Sequence, residues 1–204
     1  MPRRLTIWTA ALSATVAAGC GSSPPSRFYL LNATAVADNA AQARYAVIVG
    51  PVSIPAAVDQ PQLVTQTSPN SVTRDEFNRW GAPLQDEIGR IVAADLATLL
   101  GTPRVTATPL PHFDAAYRVA IDVQRFESAP GKAATIEAVW VVYATAGEAV
   151  GRSGHTRAED PVADGTMEAL VAAHSRALAI LSADIATAIR AVAATSQVRN
   201  PARR

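Results

Sequence analysis

Cysteine is the scarcest informative residue type in this chain of 204 residues, because Cys20 is the only one. A single cysteine cannot form an intramolecular disulfide, so a disulfide-stabilised scaffold is excluded. Histidine occurs only at His112, His155 and His174, and none of the three has a cysteine or a second histidine at the spacing of a zinc site. The glycines are scattered and form no Gly-rich loop ahead of a helix. The sequence therefore predicts no metal site, no nucleotide-binding loop and no cofactor.

Aromatic residues are also few, at 5% of the chain, whereas hydrophobic residues reach 49%. The core is therefore predicted to consist of Val, Ile, Leu and Ala with a few aromatic side chains. The formal net charge is +1, and loss of Arg3 and Arg4 with the amino-terminal segment would bring it to −1. No basic stripe for nucleic acid would then remain. Beyond that segment we find no apolar run of about 20 residues, so the mature chain is not expected to span a bilayer.

The amino-terminal segment has the layout of a secretory signal peptide. Two arginines precede an apolar stretch over 5–18, and small residues follow. A helix over this stretch would be about 21 Å long, short of a hydrocarbon core of about 30 Å. The sequence Ala17-Ala18-Gly19-Cys20 resembles the lipobox of bacterial lipoproteins, although leucine is commonest where Ala17 stands. Residues 1–19 are therefore predicted to be a signal peptide, and Cys20 is predicted to carry the lipid.

Two alternatives stay open for this segment: an ordinary secretory signal with an incidental cysteine, and an uncleaved anchor. After Cys20, residues 20–26 form a polar tether rich in serine and proline. In Gram-negative lipoproteins an aspartate directly after the cysteine is associated with retention at the inner membrane. Gly21 occupies that position here, so the resemblance implies the periplasmic face of the outer membrane.

The remaining chain is predicted to form one domain over residues 27–192, followed by a disordered tail over 193–204. Strands are indicated by β-branched or alternating apolar runs between turn residues. They are predicted at 28–31, at 45–54 with a bend at Gly50-Pro51, at 63–67, at 72–77, from 117 with an irregularity near Arg125-Phe126, around 136–142 and at 150–157. A linker rich in Ala, Asn and Asp is predicted over 32–42.

Two helices complete the domain. The first is predicted from Pro83 to Gly101, with apolar residues at helical spacing between them. The second follows Asp164, which is predicted to cap it, and carries one apolar face from Leu170 to Ile189. This order of elements predicts an α/β (α+β) sandwich, in which one mainly antiparallel sheet packs against two long helices.

No constellation of residues predicts catalysis. Ser153-Gly154-His155 lacks the G-x-S-x-G elbow of a serine hydrolase. Asp75 and Glu76 are adjacent on a predicted strand and so point to opposite faces. Asp86 and Glu87 lie in the first turn of the first helix, where they complement its dipole. Trp80 stands at a strand-to-helix corner, either as a plug that fills the corner or as an anchor for a partner.

Several segments together resemble the PqiC family of ABC-type transport auxiliary lipoproteins. The resemblance rests mainly on VGPVSIP at 49–55, DQPQLVTQ at 59–66 and EFNRWGAPLQDEIGRIVAADLATLLG at 76–101. The segments YLL at 29–31, RVAIDVQRFES at 118–128 and LVAAHSRALAILSADIA at 170–186 support it. The chain departs from the family at 57–60, where an aromatic residue or leucine followed by Asp-Arg is more usual.

The resemblance implies a lipoprotein of the outer membrane that works with an MCE-domain protein of the inner membrane, similar to PqiB, and with its transporter components. It implies a role in lipid transport and envelope integrity, and a ring of several copies would suit a tubular partner. Such a subunit needs no catalytic residue. Its candidate partner contacts are Trp80, Asp59 and Gln60. Two other hypotheses stay open: a lipid carrier with an apolar cavity, and an envelope hydrolase that uses Ser153 or His155.

Overall fold

A computed structural model of the protein describes residues 24–38, 40–145 and 151–199. The predicted signal peptide, Cys20 and the start of the tether lie outside these residues. The described chain forms ten elements in the order β1 (Arg27–Tyr29), β2 (Val47–Ser53), β3 (Gln62–Ser68), β4 (Ser71–Trp80), α1 (Leu84–Leu100), β5 (Val105–Thr106), β6 (Tyr117–Ala129), β7 (Ala133–Ala144), β8 (Gly151–Pro161) and α2 (Met167–Arg199).

The α+β class with two long helices is confirmed, but the described strands form two sheets instead of one. Strands β1, β4 and β3 form a small sheet in that order, and the larger sheet has the order β5-β2-β6-β7-β8. Strand β2 already has neighbours on both edges, so the β3/β4 hairpin cannot join it there. The pairs β1–β4, β2–β5 and β2–β6 are parallel, and the other pairs are antiparallel. The parallel pairing of β2 with β6 follows from the long crossover through α1 that joins them.

Two predicted irregularities in the strands are confirmed. In β2, the register against β6 shifts between Val49 and Val52, at the cis bond Gly50–Pro51. In β6, the register against β7 shifts between Val123 and Arg125, which is a β-bulge. Strand β8 continues to Pro161, four residues past its predicted end, because its pairing with β7 is kept through Ala133.

Both helices pack on the larger sheet and build the core. The largest side chains that are almost fully buried include Ile88, Ile91, Leu96 and Leu100 of α1 and Leu170, Leu178, Leu181, Ile185 and Ile189 of α2. Helix α1 begins directly after Pro83 and ends at Gly101, whose φ of 63° is the left-handed conformation that favours glycine at this position. The space between helices and sheet is therefore filled by aliphatic side chains.

The two ends of α2 differ from the prediction. Thr166 caps the helix, because its Oγ1 accepts a hydrogen bond from the Ala169 N–H, while Asp164 accepts from the Thr166 N–H and hydroxyl. At the other end α2 runs to Arg199, seven residues past the predicted boundary at 192. The segment 193–199 contains no glycine or proline, and Pro201 is the first residue that opposes a helix.

Helix α2 also corrects the expectation that nothing after the amino-terminal segment is apolar enough to span a membrane. By length and composition alone, Met167–Ser196 meets that requirement, with a mean hydropathy of 1.7. However, 56% of its most apolar window is buried inside the fold. Packing against the sheet accounts for its composition.

The predicted linker after β1 is held tightly to both helices. We call residues 31–35 the arm. The Leu31 N–H donates to Glu87 Oε2 (3.1 Å), and the Thr34 and Ala35 N–H groups donate to Asp95 Oδ1 (3.0 and 2.9 Å). Glu87 and Asp95 are buried in α1. The arm is thus fixed by buried carboxyl groups, which sequence reasoning had not singled out for this role.

Two serines of α2 complete these contacts. The Asn32 N–H donates to Ser175 Oγ (3.1 Å), and Ser182 Oγ lies 3.3 Å from Asp95 Oδ2. Burial raises the pKa of the Asp95 carboxyl, although the hydrogen bonds from Ala35, Thr34 and Ser182 oppose this shift. Asp95 therefore lies at the meeting point of the arm, α1 and α2.

His174 is a second buried polar residue of α2. Its ring stacks on Phe126 with centroids 4.0 Å apart, and its Nε2 lies 2.8 Å from Ser128 Oγ. Its Nδ1 has no hydrogen-bond partner among the described residues. Burial lowers the pKa of His174 from 6.5 to about 3. The imidazole is thus held neutral in the core.

We expect Asp95→Ala to lower the free energy of unfolding by about 2 kcal/mol, because two partly buried backbone N–H groups of the arm lose their acceptor. Asp95→Asn keeps an acceptor oxygen and should lose only about 1 kcal/mol. Urea unfolding followed by tryptophan fluorescence measures both values. Equal stability of wild-type protein and Asp95→Ala would contradict the structural role of this carboxyl.

His174 predicts that the protein loses stability on acidification. Its pKa is lower in the folded state, so the unfolded state binds the proton first as the pH falls below 6.5. The free energy of unfolding should fall by up to about 1.4 kcal/mol per pH unit through this range. The comparison is made between about pH 6.5 and about pH 5, because most carboxyl groups titrate below this range. There, the stability of His174→Gln should not show this dependence on pH. Identical slopes for both proteins in urea unfolding at several pH values would rule out this contribution.

Candidate functional site

Trp80 is the last residue of β4 and fills the corner between the small sheet and α1. Its side chain is buried, and it packs edge-to-face on Phe126 with ring centroids 6.1 Å apart. The Trp80 N–H donates to the Pro61 carbonyl (2.7 Å), so the corner is tied to the loop ahead of β3. Trp80 is therefore a corner-filling residue in the protein, and with only 6% of its surface exposed it offers little area to a partner.

The loop between β2 and β3 brings Asp59 and Gln60 to the same corner. Its turn is closed by the Val58 N–H, which donates to the Pro55 carbonyl (3.0 Å), and Val58 is buried. Gln60 Nε2 donates to the Ala57 carbonyl (2.8 Å). These local bonds leave Asp59 exposed and Gln60 half-buried on the outer side of the loop.

The three sequence-predicted contact residues line one pocket. It has a volume of about 400 Å³, its lining is mainly apolar, and its walls are Asp59, Gln60, Pro61, Trp80, Ala82, Pro83 and Leu84. The loop supplies the polar rim, and the corner ahead of α1 supplies the apolar floor. An apolar concavity with a few polar groups at its rim suits a protruding apolar side chain or a short acyl segment.

Two wider clefts lie elsewhere on the described surface. One, of about 680 Å³, lies between the bulged part of β2 and α1, where Gly50, Pro51, Asp86 and Gly89 line it. The other, of about 700 Å³, includes Pro109, Leu110 and Phe113 of the loop before β6. Neither contains any of the residues that the sequence singled out as partner contacts.

The residues proposed for a hydrolase do not form a catalytic unit in the described structure. His155 Nε2 lies 2.9 Å from Glu137 Oε1, and hydrogen bonding to His155, together with Arg125, lowers the pKa of the Glu137 carboxyl. Ser153 pairs with Val141 across the β7–β8 ladder. No hydrogen bond joins Ser153 to His155 in the described residues, so the nucleophile and base required for hydrolysis are not assembled there.

The adjacent carboxylates have structural partners. Asp75 Oδ1 accepts from the Phe77 and Asn78 N–H groups, and Asp75 Oδ2 accepts from Asn78 Nδ2 (2.7 Å). Burial pushes the pKa of Asp75 upward, but the bonds from Asn78 and Phe77 outweigh it and hold the pKa below its usual value. Asp75 thus shapes the irregular end of β4. Glu87, besides binding the arm, pairs with Arg90 at 2.8 Å.

The described residues contain no group of three or more His, Cys, Asp or Glu side chains that could hold a metal ion. His112 lies in the loop before β6 with a positive φ of 59°, and His174 is enclosed in the core. Cys20 lies outside the described residues. The pocket at the Trp80 corner is consequently the site that unites the predicted contact residues.

Comparison with known proteins agrees with this fold. Protein XCC0632 from Xanthomonas campestris aligns with a TM-score of 0.68 and 21% identity, over 83% of this chain and 99% of its own. A second crystal structure, of an uncharacterized protein, aligns with a TM-score of 0.65 and 22% identity, over 81% of this chain and 99% of its own. At these identities the two structures support the fold alone. Among curated proteins, none matches the chain significantly.

A family model gives the stronger assignment. The model described as the ABC-type transport auxiliary lipoprotein component matches residues 29–186, from β1 well into α2. This span contains the arm, the Trp80 corner, all of α1 and the part of α2 up to Ala186. The chain belongs to the family of ABC-type transport auxiliary lipoprotein components, and its role is that of a lipoprotein in transport.

Proposed function

We propose that this protein is a noncatalytic docking subunit of an MCE-type intermembrane lipid transport system, as in the PqiC family. In this proposal the lipid on Cys20 anchors it to the periplasmic face of the outer membrane. The domain binds an MCE-domain protein that reaches across from the inner membrane and so helps to maintain the envelope. The family match over residues 29–186 carries the proposal, because it assigns the domain to an auxiliary transport component.

The pocket at the Trp80 corner supports docking as the mode of action. Its floor is held rigid, since Trp80 is packed on Phe126 and hydrogen-bonded to Pro61. A preformed apolar pocket binds a partner at a low ordering cost. Asp59 and Gln60 at the rim provide polar groups that can orient that partner. A few anchor contacts of this kind dominate the affinity of many protein interfaces.

The position of the pocket supports docking close to the membrane. Trp80 is the register partner of Tyr29 in β1, the first strand after the tether. The Gly81 N–H also donates to the Tyr29 carbonyl (2.8 Å). A partner seated in the pocket would therefore lie beside the strand that leads to the lipid anchor. This arrangement suits a subunit that holds the distal end of a conduit against the outer membrane.

The two other hypotheses receive less support. A lipid carrier would need an apolar cavity between the sheet and the helices, and that space is filled by aliphatic side chains such as Leu96, Leu178 and Leu181, all almost fully buried. An envelope hydrolase would need Ser153 and His155 to act together, and no hydrogen bond joins these two side chains in the described part of the chain. Docking is the function that uses the pocket as it stands.

Filling the pocket tests the docking surface. Ala82 is a half-buried wall residue, so Ala82→Trp should occupy the pocket and reduce recovery of an MCE-domain protein about tenfold or more, equivalent to about 1.4 kcal/mol. Ala183→Trp makes the same change at an exposed position of α2 and should leave recovery unchanged. Recovery is measured by quantitative mass spectrometry after affinity purification from detergent-solubilised membranes.

Two outcomes of that experiment, and one outcome of a separate gene deletion, would contradict parts of the proposal. Full recovery with Ala82→Trp would show that the pocket is not the contact surface, provided circular dichroism shows a folded variant. Failure of any MCE-domain protein to co-purify with the wild-type lipoprotein would count against the partnership itself. Unchanged envelope permeability in a deletion strain would contradict the role in envelope integrity.

Lipidation is tested separately at Cys20. Cys20→Ser removes the only thiol, so the chain should carry no acyl groups and should be lost from the outer-membrane fraction. Ser22→Ala, two residues further on, should stay in the pellet. Sucrose-gradient fractionation assigns the membrane, and intact-protein mass spectrometry detects the added acyl groups. A Cys20→Ser protein that remains in the outer-membrane fraction would contradict the anchor.

A further inference from the structure

The side chains at the start of the domain alternate between core and solvent. Tyr29 and Leu31 are buried, whereas Phe28 and Leu30 are 67% and 51% exposed. Alternation along an extended chain places Phe28 and Leu30 on the same outward face. We call these two residues the anchor-side patch. Large apolar side chains that are exposed together favour contact with another apolar surface.

The residues next to the anchor-side patch lie mainly at the end of β4. Phe28 is paired with Arg79, and the Leu30 side chain lies over Gly81, where an added Cβ would come within 2.9 Å of Leu30 Cδ2. Phe77 is 40% exposed two residues before Arg79. At the start of β1 the Arg27 side chain is 69% exposed, and it lies 3.8 Å from Glu168. By the same alternation Arg27 lies on the face of Tyr29, so Arg79 is the cationic residue beside the patch. Apolar side chains next to a cationic one suit a surface at the level of phospholipid headgroups.

Chain length brings this patch close to the membrane. Phe28 follows Cys20 by eight residues, so their Cα atoms can be separated by at most about 29 Å. A domain of this size is about 40 Å across. The tether is therefore shorter than the domain, and it keeps the end of the domain that carries Phe28 within about 29 Å of the leaflet that holds the lipid.

The arm prevents β1 from turning away from that leaflet on its own. Leu31 is hydrogen-bonded to Glu87 and Arg90, and Thr34 and Ala35 are bound to Asp95. Strand β1 is thus part of the rigid body, and the orientation of the patch is the orientation of the domain. Because the tether is short and β1 is fixed to the domain, the face of the domain that carries Phe28 and Leu30 is favoured to point towards the membrane.

We propose that Phe28 and Leu30 insert into the headgroup region of the phospholipid leaflet that holds the lipid on Cys20. The inference rests on the proposed lipidation of Cys20. Two contact points, the acyl chains and the patch, fix the tilt of the domain as well as its distance from the membrane. The Trp80 pocket, which adjoins Gly81, is then held in a constant orientation at the membrane surface.

The single cysteine allows a direct test with the full lipidated protein. Because acylation blocks the Cys20 thiol, a cysteine introduced elsewhere can be labelled alone. Phe28→Cys and Leu30→Cys are each labelled with a nitrobenzoxadiazole fluorophore and reconstituted in vesicles of phosphatidylethanolamine and phosphatidylglycerol. Val36→Cys is the matched control, because Val36 is an apolar residue that is 82% exposed and lies beyond the arm. Quenching by nitroxide groups on the lipid chains is measured for all three.

The expected result is quenching several-fold stronger at positions 28 and 30 than at position 36. Equal quenching at the three positions, with acylation of Cys20 verified by mass spectrometry, would overturn the patch and leave the anchor intact. Absence of acylation would instead refute the anchor on which the proposal rests. Protection from a water-soluble quencher without lipid quenching would also overturn the proposal, since a second copy or a partner protein would then cover the patch.

A second variant checks the energetic role of the patch without labels. Phe28→Asp combined with Leu30→Asp places charge on exposed positions and should not disturb the core. In vesicles that also contain a headgroup-labelled lipid, energy transfer from the tryptophans to that lipid should fall relative to wild-type protein. Val36→Asp should leave the transfer unchanged. An identical fall for Val36→Asp, or no fall for the double variant, would contradict a specific membrane contact.

Discussion

The constraint on which the structure depends is the hold of two buried carboxyl groups of α1 on the arm. Glu87 and Asp95 accept hydrogen bonds from three backbone N–H groups between Leu31 and Ala35, and both carboxyl groups are buried in a mainly hydrophobic core. Buried acceptors of this kind are retained only when donors satisfy them, so the arm and the two helices specify one another. Without these contacts β1 would be an edge strand of three residues held mainly by its pairing with β4. With them, the start of the domain is bonded to both helices.

Sequence reasoning located most elements because their hydrophobic periodicity is strong. The alternation from Tyr117 and the helical spacing after Pro83 both correspond to the observed β6 and α1. It was wrong where the deciding contacts are remote in sequence. The division into two sheets depends on which edges of β2 are already paired with other strands. The fixed conformation of the arm depends on hydrogen-bond partners more than fifty residues away in the sequence. The end of α2 was placed too early because apolar periodicity fades there, while alanine-rich sequence still sustains a helix.

In the candidate site too, features set by neighbouring residues were predicted from the sequence, whereas features set by contacts between distant segments were not. Trp80 beside Gly81 and Pro83 identified a strand-to-helix corner, and the structure has that corner. That Asp59 and Gln60 line the same pocket follows from the path of the loop after β2, which no local pattern encodes. The burial of Trp80 also answers one question that the sequence left open, because the ring fills the corner against Phe126. Filling a corner and forming a pocket floor are compatible roles, since a rigid aromatic ring provides a fixed surface for a partner.

The geometry joins the proposed anchor and the proposed docking pocket through β1. Gly81 lies between Trp80 and Ala82 of the pocket wall, and its backbone also contacts Tyr29 and the Leu30 side chain. In the proposed arrangement, orientation of β1 by the membrane would be transmitted to the pocket through a few directly bonded residues rather than through the whole domain. A lipid anchor alone restricts a protein to a surface but leaves its tilt free. A tether shorter than the domain, the bound arm and the proposed apolar contact beside the tether would together remove that freedom, and a conduit partner would then meet its docking pocket at a defined height and angle above the leaflet.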